Sequence, residues 1–310
     1  MSAAEPIESP RGLGRSASFT RVTVAYGVAL AVGVGTAIVF DEGAHLHAEG
    51  LMQSFSILAA GDLVATLVVF GFSLGYRNSS VYDPYWTVVP PLFSLGYWML
   101  GAELDVRSVV HAGLTMLWAA RLTFNWVRGW AGLDYEDFRY RDLQKKFGSG
   151  ALYWLVSFSG LHYFPTLLVL VGLLPTAAIY GSETPDVGVF DALGALAMLA
   201  GIVLQAIADE QLRAFTKART SRDAICAVGL WSWSRHPNYF GEILFWTGPV
   251  LFAFGTGRFQ WWMPAGAVSL LGLFVFASIP MMEGRQARKP GYADYQRRTS
   301  MLVPLPPRRV

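Results

Sequence analysis

A single cysteine in 310 residues, Cys226, excludes an internal disulfide and any zinc site built from several thiolates. Charge is scarce too: Asp, Glu, Lys and Arg make up 15% of the chain and nearly cancel to +2, leaving no basic surface that argues for nucleic acid. The five histidines are scattered, and only His45 and His47 stand close together, so no metal site is expected. No G-x-G-x-x-G follows a strand and opens a helix, which removes a Rossmann dinucleotide fold. Internal repeats are missing, which disfavours a transporter built from inverted halves. Low complexity is confined to the polar N-terminus and the Pro-Arg end.

What the chain does have is apolar mass. With 53% hydrophobic and 14% aromatic residues it departs from the soluble average toward lipid. Crossing the hydrocarbon core takes roughly 20 apolar residues, and lipid tolerates no unpaired backbone, so the expected fold class is all-α, a polytopic transmembrane helical bundle. About eight stretches qualify: 22–40, 51–76, 85–101, 106–127, 151–180, 187–208, 239–255 and 261–280. The third is interrupted by Pro90-Pro91, and without it seven spans remain. The first run lacks a convincing small-residue cleavage site and is read as a span, not a removed signal peptide. A polar tail over 1–20 and one membrane domain over 21–310 are the simplest partition.

Orientation follows from the basic residues. With an even span count, one side of the membrane receives 21 Lys and Arg residues, including both ends of the chain, against Arg107 and Arg258 on the other, while Arg121 stays within a span. Both termini are therefore expected in the cytoplasm.

Ionisable side chains inside lipid are costly and mark candidate sites. Arg121, Asn125 and Arg128 recur at i, i+4 and i+7 on one helical face, a receptor for phosphates unless Arg121 pairs with a carboxylate elsewhere and Arg128 snorkels. Asp209 and Arg213 are also four apart; an exposed pair of that kind is worth only about 0.3–0.5 kcal/mol, a weak reason for its presence. The densest cluster runs from Ser234 to Glu242. There Pro237 suits a first helical turn, Arg235 and His236 add cationic donors beside free N–H groups, Tyr239 follows, and Asn238 and Glu242 share a face. Asp62 and His162 stand alone in their spans, as fit for interhelical hydrogen bonds as for substrate contact. Asp83 and Tyr85 bring an acid and a phenol to the mouth of the third span, where they are candidate catalytic groups; an Asp-Pro turn and an interfacial aromatic belt explain them equally well.

With Ser-Arg-His-Pro-Asn-Tyr-Phe-Gly-Glu on the page, the chain resembles the membrane superfamily of steroid 5α-reductases and isoprenylcysteine methyltransferases, and within it the bacterial DUF1295 proteins. The likeness runs from about residue 83 to the C-terminus, through Asp83-Pro84-Tyr85-Trp86, the Arg121/Asn125 helix, Glu136 to Tyr140, Asp209, Gly229-Leu230-Trp231 and Gly291 to Tyr295. It implies an NADPH-dependent reductase of C=C bonds in an apolar, lipid-like enone, in a bacterial inner membrane, with the cofactor site facing the cytoplasm. The cofactor residues it implies are Asp209, Asn238 and Glu242, with Arg121 and Asn125 on the phosphate-facing helix. Trp118 stands where the steroid reductases place a tyrosine, and Asp83 is the acid nearest their glutamate.

A membrane methyltransferase of the isoprenylcysteine type is the alternative, with S-adenosylmethionine as cofactor and Glu283 as its tail glutamate. Charge discriminates: NADPH calls for basic contacts, and Arg121, Arg128, Arg213 and Arg235 favour it, whereas carboxylates and aromatics suffice for a sulfonium zwitterion. A non-catalytic lipid-binding protein is the third reading; it would scatter polar residues through the bilayer midplane, whereas here they gather at the inner ends of the fourth, sixth and seventh spans. The expected partners are membrane lipid and an apolar small molecule, with no nucleic acid. Oligomeric state is not encoded in any feature of the sequence, since Gly194-Ala195 and Gly201 suit internal packing as well as a dimer seam.

Overall fold

The computed structural model describes residues 12–43, 52–181 and 186–308, so the expectations for His45 and His47, and for most of the N-terminal tail, lie outside the described residues. The described chain is all-helical. Eight long helices correspond one to one with the apolar stretches: α1 Arg15–Gly43, α2 Gln53–Tyr76, α3 Tyr85–Met99, α4 Val106–Gly129, α5 Ala151–Gly172, α6 Val189–Ala218, α7 Pro237–Gly255 and α8 Ala265–Gln286. Among the described residues five of them, α1, α2, α5, α6 and α8, are long and apolar enough to cross a membrane.

The other three fall short for separate reasons. α3 keeps its helical path through Pro90 and Pro91 but has only 15 residues; at about 1.5 Å per residue it is shorter than the roughly 30 Å hydrocarbon core. α4 is long enough but carries Arg107, His111, Arg121, Asn125 and Arg128. α7 opens on the polar Pro-Asn-Tyr-Phe-Gly-Glu run and contains Pro249.

α6 and α7 form the central pair. Gly194 and Gly201 on α6 meet Gly248 and Gly241 on α7, at matching seven-residue spacing, so the seam lies inside one molecule. A Cβ added at Gly201 would sit 2.5 Å from the Gly241 carbonyl oxygen, and one at Gly241 would sit 2.8 Å from that of Gly201. Glycine lets the backbones approach closely enough for dispersion and weak C–H···O bonds to hold a helix pair that gains no hydrophobic free energy within lipid. α1 and α2 pair the same way through Gly33 and Gly61, where an added Cβ would stand 2.9 Å from the facing carbonyl.

α5 and α8 each contain a widened π turn, over Phe158–Tyr163 and Phe274–Ser278. The Phe164 N–H bonds Ser159 O and the Ile279 N–H bonds Phe274 O, five residues back. A proline follows each turn, Pro165 and Pro280. A helical proline ring clashes with the carbonyl four residues earlier and has no N–H to give it, so a locally wider turn relieves the collision.

One end of the bundle gathers the basic segments. Arg235 Nε lies 2.7 Å from Glu283 at the end of α8, Lys289 donates to Ala224 O at 3.0 Å, and Arg285 reaches Asp142 at 3.4 Å. At the opposite end Arg107 of α4 and Asp191 of α6, which basic-residue counting leaves near the outer surface, are buried against each other at 2.5 Å.

Candidate functional site

A cavity of about 790 Å³ opens into the basic half of the bundle. Its floor is built by α4, α6 and α7. His236 is the last non-helical residue before α7 and Pro237 begins it, which sets Asn238 and Glu242 one turn apart on the cavity side. Glu242 accepts the indole N–H groups of Trp118 and Trp246, at 3.2 and 3.0 Å. Trp118 is wholly buried and stacked on Phe245 at 4.6 Å, so its role is to hold the Glu242 carboxylate. Across the floor Arg121 donates to Asp209 at 2.7 Å and to Gln205 Oε1, and Asn125 donates to the same Asp209 oxygen at 2.6 Å.

Three donors in the cavity wall are buried without a partner: Arg121 Nε, Gln205 Nε2 and Trp126 Nε1. A buried N–H with no acceptor costs about 1–3 kcal/mol, so the floor can take up oxygens from water or from a ligand.

The second polar wall lies beside it. The helix Phe138–Phe147 is capped by Asp137, which accepts from the Arg139 N–H at 2.9 Å, and it presents Arg139 and Tyr140 to the cavity. Tyr140 donates to Asp83, which precedes α3 in the loop after α2. Glu136 anchors this helix by accepting from Ser79 N–H and Gln144, both at 2.8 Å. Arg285 lies over the Phe138 ring at 3.8 Å. Burial raises the Asp83 carboxyl to about 7, opposed in part by the Tyr140 hydrogen bond and by Arg139. The Tyr140 phenol is raised by burial and by the Asp83 charge.

A raised acid favours the folded state in its neutral form, so that contribution is complete below about pH 4 and is lost as pH rises through about 7. The wild type is therefore expected to lose a few kcal/mol relative to Asp83→Asn between those limits. Melting curves of both proteins in detergent from pH 4 to 8 provide the check. Parallel curves across that range would contradict a buried, neutral Asp83.

The remaining walls are apolar, formed by α5 from Gly160 to Gly172 and by α8 from Gly266 to Met281, with Tyr82, Trp86, Trp246 and Tyr239 between them.

Of the residues singled out in the sequence, Asp83, Arg121, Asp209, Asn238, Tyr239 and Glu242 line this cavity together. Asn125 stands behind Asp209. Arg128 reaches Asn125 at 2.6 Å and Glu210, and Arg213 faces Glu210 at 3.9 Å rather than pairing with Asp209. Arg235 and His236 turn away from the cavity to Glu283, which also accepts from Gln296 at 2.9 Å; they fasten the start of α7 to α8 and to the C-terminal helix Tyr292–Arg298. Tyr85 donates to the buried Asp62 at 2.7 Å, and His162 pairs with Ser73 at 2.9 Å, so both lone polar residues are held between helices. Gln205, Trp126, Asp137, Arg139 and Tyr140 complete the polar lining. Gln205 was discoverable: it is an amide inside an apolar span, four residues before Asp209 on the same face. Tyr140 carried no such signal within a span: the sequence marks it only through the Glu136–Tyr140 likeness, between two apolar stretches.

An uncharacterized protein of Schizosaccharomyces pombe, C594.04c, is 28% identical to this chain over 266 residues, covering 76% of each. No solved structure matches. The family model described as "Protein of unknown function (DUF1295)" matches residues 69–299, and the chain belongs to that family.

Proposed function

We propose that this protein is a membrane-embedded, NADPH-dependent reductase of a C=C bond conjugated to a carbonyl in an apolar, lipid-like substrate. In this reading it crosses the membrane eight times with both termini cytoplasmic, sits in a bacterial inner membrane, and opens its polar floor toward the cytoplasm. The observation that carries it is the set of unpartnered donors, Arg121 Nε, Gln205 Nε2 and Trp126 Nε1, beside Asn238 and the Asp209 and Glu242 carboxylates. Such a floor complements a carboxamide and phosphate oxygens at once, and its volume lies within the roughly 300–1,000 Å³ of small-molecule sites.

When bound, NADPH supplies the hydride that reduces the β-carbon. Asn238, Gln205 and Glu242 would hold its carboxamide end, while Arg121, kept in place by Asp209, would offer its remaining N–H to an oxygen. Reduction also consumes a proton. Tyr140, hydrogen-bonded to Asp83 at the edge of the same cavity, is placed to give it to the developing oxyanion, with Asp83 returning a proton to the phenol. The proton donor in this assignment is Tyr140, since it lines the cavity, whereas Tyr85, bonded to Asp62, does not.

One observation favours the methyltransferase. The lining holds four carboxylates, Asp83, Asp137, Asp209 and Glu242, against two arginines, each of which already has an anionic partner. That balance suits a sulfonium zwitterion.

Thermal-shift titration of the detergent-purified protein with NADPH and with S-adenosylmethionine separates the readings. Saturation at about 100 times Kd adds about 2.7 kcal/mol, a rise of several degrees. The reductase reading expects that rise with NADPH alone, and its loss in Asn238→Ala and Arg121→Ala. A rise with S-adenosylmethionine alone would transfer the site to methyl transfer, and a rise with neither would leave a lipid-binding protein.

A further inference from the structure

The apolar wall of the cavity reaches the perimeter of the bundle between α5 and α8. Near the bundle end opposite the basic segments these two helices touch backbone to backbone: a Cβ on Gly266 would stand 2.5 Å from Gly172 N, and one on Gly172 would stand 2.6 Å from the Trp246 ring. Toward the basic end they part. There the cavity is lined by Gly160, Leu161 and Phe164 of α5 and by Phe274, Ala277 and Met281 of α8. Gly160, Phe164, Ala277 and Met281 are at the same time solvent-exposed, as residues at the mouth of a cavity are.

The π turns sit at that mouth. Gly160 and Leu161 belong to one, Phe274 and Ala277 to the other, and Pro165 and Pro280, which have no N–H to give a tighter turn, follow them. Each inserts an extra residue into its turn, which bulges the backbone and displaces the side chains around it. Both helices are among those apolar and long enough to cross a membrane, so in a bilayer this mouth would open toward lipid.

We propose that the gap between the π turns of α5 and α8 is a lateral portal, through which an amphiphile resident in the leaflet on the basic side enters with its polar carbonyl end leading and its hydrocarbon part trailing in the gap. The polar lining includes Asp83, Tyr140, Arg121 and Glu242, whereas the gap is walled by Leu161, Phe164, Phe274 and Met281, with Ser278 the one polar π-turn residue in the lining. A head-first amphiphile satisfies both ends; a water-soluble substrate would have to cross lipid to use this opening. The portal rests on the substrate half of the proposed function and is independent of which cofactor occupies the floor.

Gly160 offers a way to close it. A Cβ there meets nothing within 4 Å, so a side chain can start from this position without collision at its first carbon. The experiment uses the full-length protein in lipid nanodiscs containing a diazirine-bearing fatty alcohol, with photolabelled peptides mapped by mass spectrometry and no nucleotide present. In the wild type, label is expected on the cavity-wall residues Trp86, Tyr239 and Trp246 as well as on the lipid-facing side of α1. In Gly160→Trp, and independently in Ala277→Phe from the facing helix, wall labelling is expected to fall several-fold while labelling of α1 stays unchanged. Wall labelling that is absent in the wild type, or that persists in both variants, would overturn the portal. Loss of the NADPH shift with the labelling pattern intact would instead sink the reductase reading and leave the portal standing.

Discussion

Gly201→Ala is expected to lower the melting temperature by several degrees and to abolish ligand-induced stabilisation, although it adds one methyl group. The new Cβ would lie 2.5 Å from the Gly241 carbonyl oxygen and 2.7 Å from the Phe245 backbone nitrogen, and neither is the tip of a flexible side chain that could swing aside. Only separation of α6 from α7 makes room. Overpacking of this kind costs about 1–3 kcal/mol, and Gly201→Val, with two more carbons, is expected to yield no folded protein by size-exclusion chromatography. The functional effect follows from the register: Gln205 and Asp209 are one and two turns beyond Gly201 on α6, and Glu242 follows Gly241 on α7. Pushing the seam apart therefore pulls the cavity floor apart. Gly160→Ala is the control, since its Cβ meets open space; replacing a helical glycine there is expected to be neutral or to add up to about 1 kcal/mol. Equal melting temperatures for the two alanine variants would show that the close approach of α6 and α7 is not what holds them together.

The helices were legible because lipid leaves the backbone no other choice, and all eight apolar stretches are helical. Span status was less so. Hydropathy marks α3, α4 and α7 as weak, and those are the helices whose length or polar content serves the interior. The candidate site was legible where two polar residues repeat at helical spacing in an apolar setting, as with Arg121 and Asn125 or Asn238 and Glu242. It was illegible where the chemistry depends on chain segments that return from far away. Arg235 and His236 look like anion donors until the tail brings Glu283 and Gln296 onto them. Tyr85 looks catalytic until α2 offers Asp62, and Tyr140 gains its meaning only when a loop helix folds it back onto Asp83. The single amide Gln205 was missed beside two more conspicuous charges.

The same limit hid the pair that closes the far end of the bundle, and its removal carries the other large expected effect. Arg107 is 2% exposed and Asp191 3%, yet positive-residue counting places both beside the outer water. In the fold, Arg107 Nε donates to Asp191 at 2.5 Å, and Nη2 donates to Asp191 at 3.1 Å, to Asp186 O at 2.8 Å and to Gly255 O at 3.3 Å. The other face of Asp191 accepts the Gly188 N–H at 2.8 Å and so caps α6. One guanidinium thus ties α4 to the start of α6 and the end of α7. Arg107→Met leaves a buried carboxylate and two carbonyls without their donor, at an expected cost of about 3–5 kcal/mol. Asp191→Leu strands the arginine and is expected to cost as much. The double variant Arg107→Met/Asp191→Leu removes both charges and fills the space, and is expected to be more stable than either single variant, because desolvating the pair offsets much of its attraction. Ligand stabilisation is expected to survive in whatever fraction folds, since Arg121 stands 14 residues further along α4, about 21 Å away. Chemical denaturation of the four proteins in mixed micelles closes the cycle. Single variants as stable as the wild type, or a double variant no better than the worse single one, would mean that the pair is an ornament of the outer surface and that glycine seams alone fix the order of α4, α6 and α7.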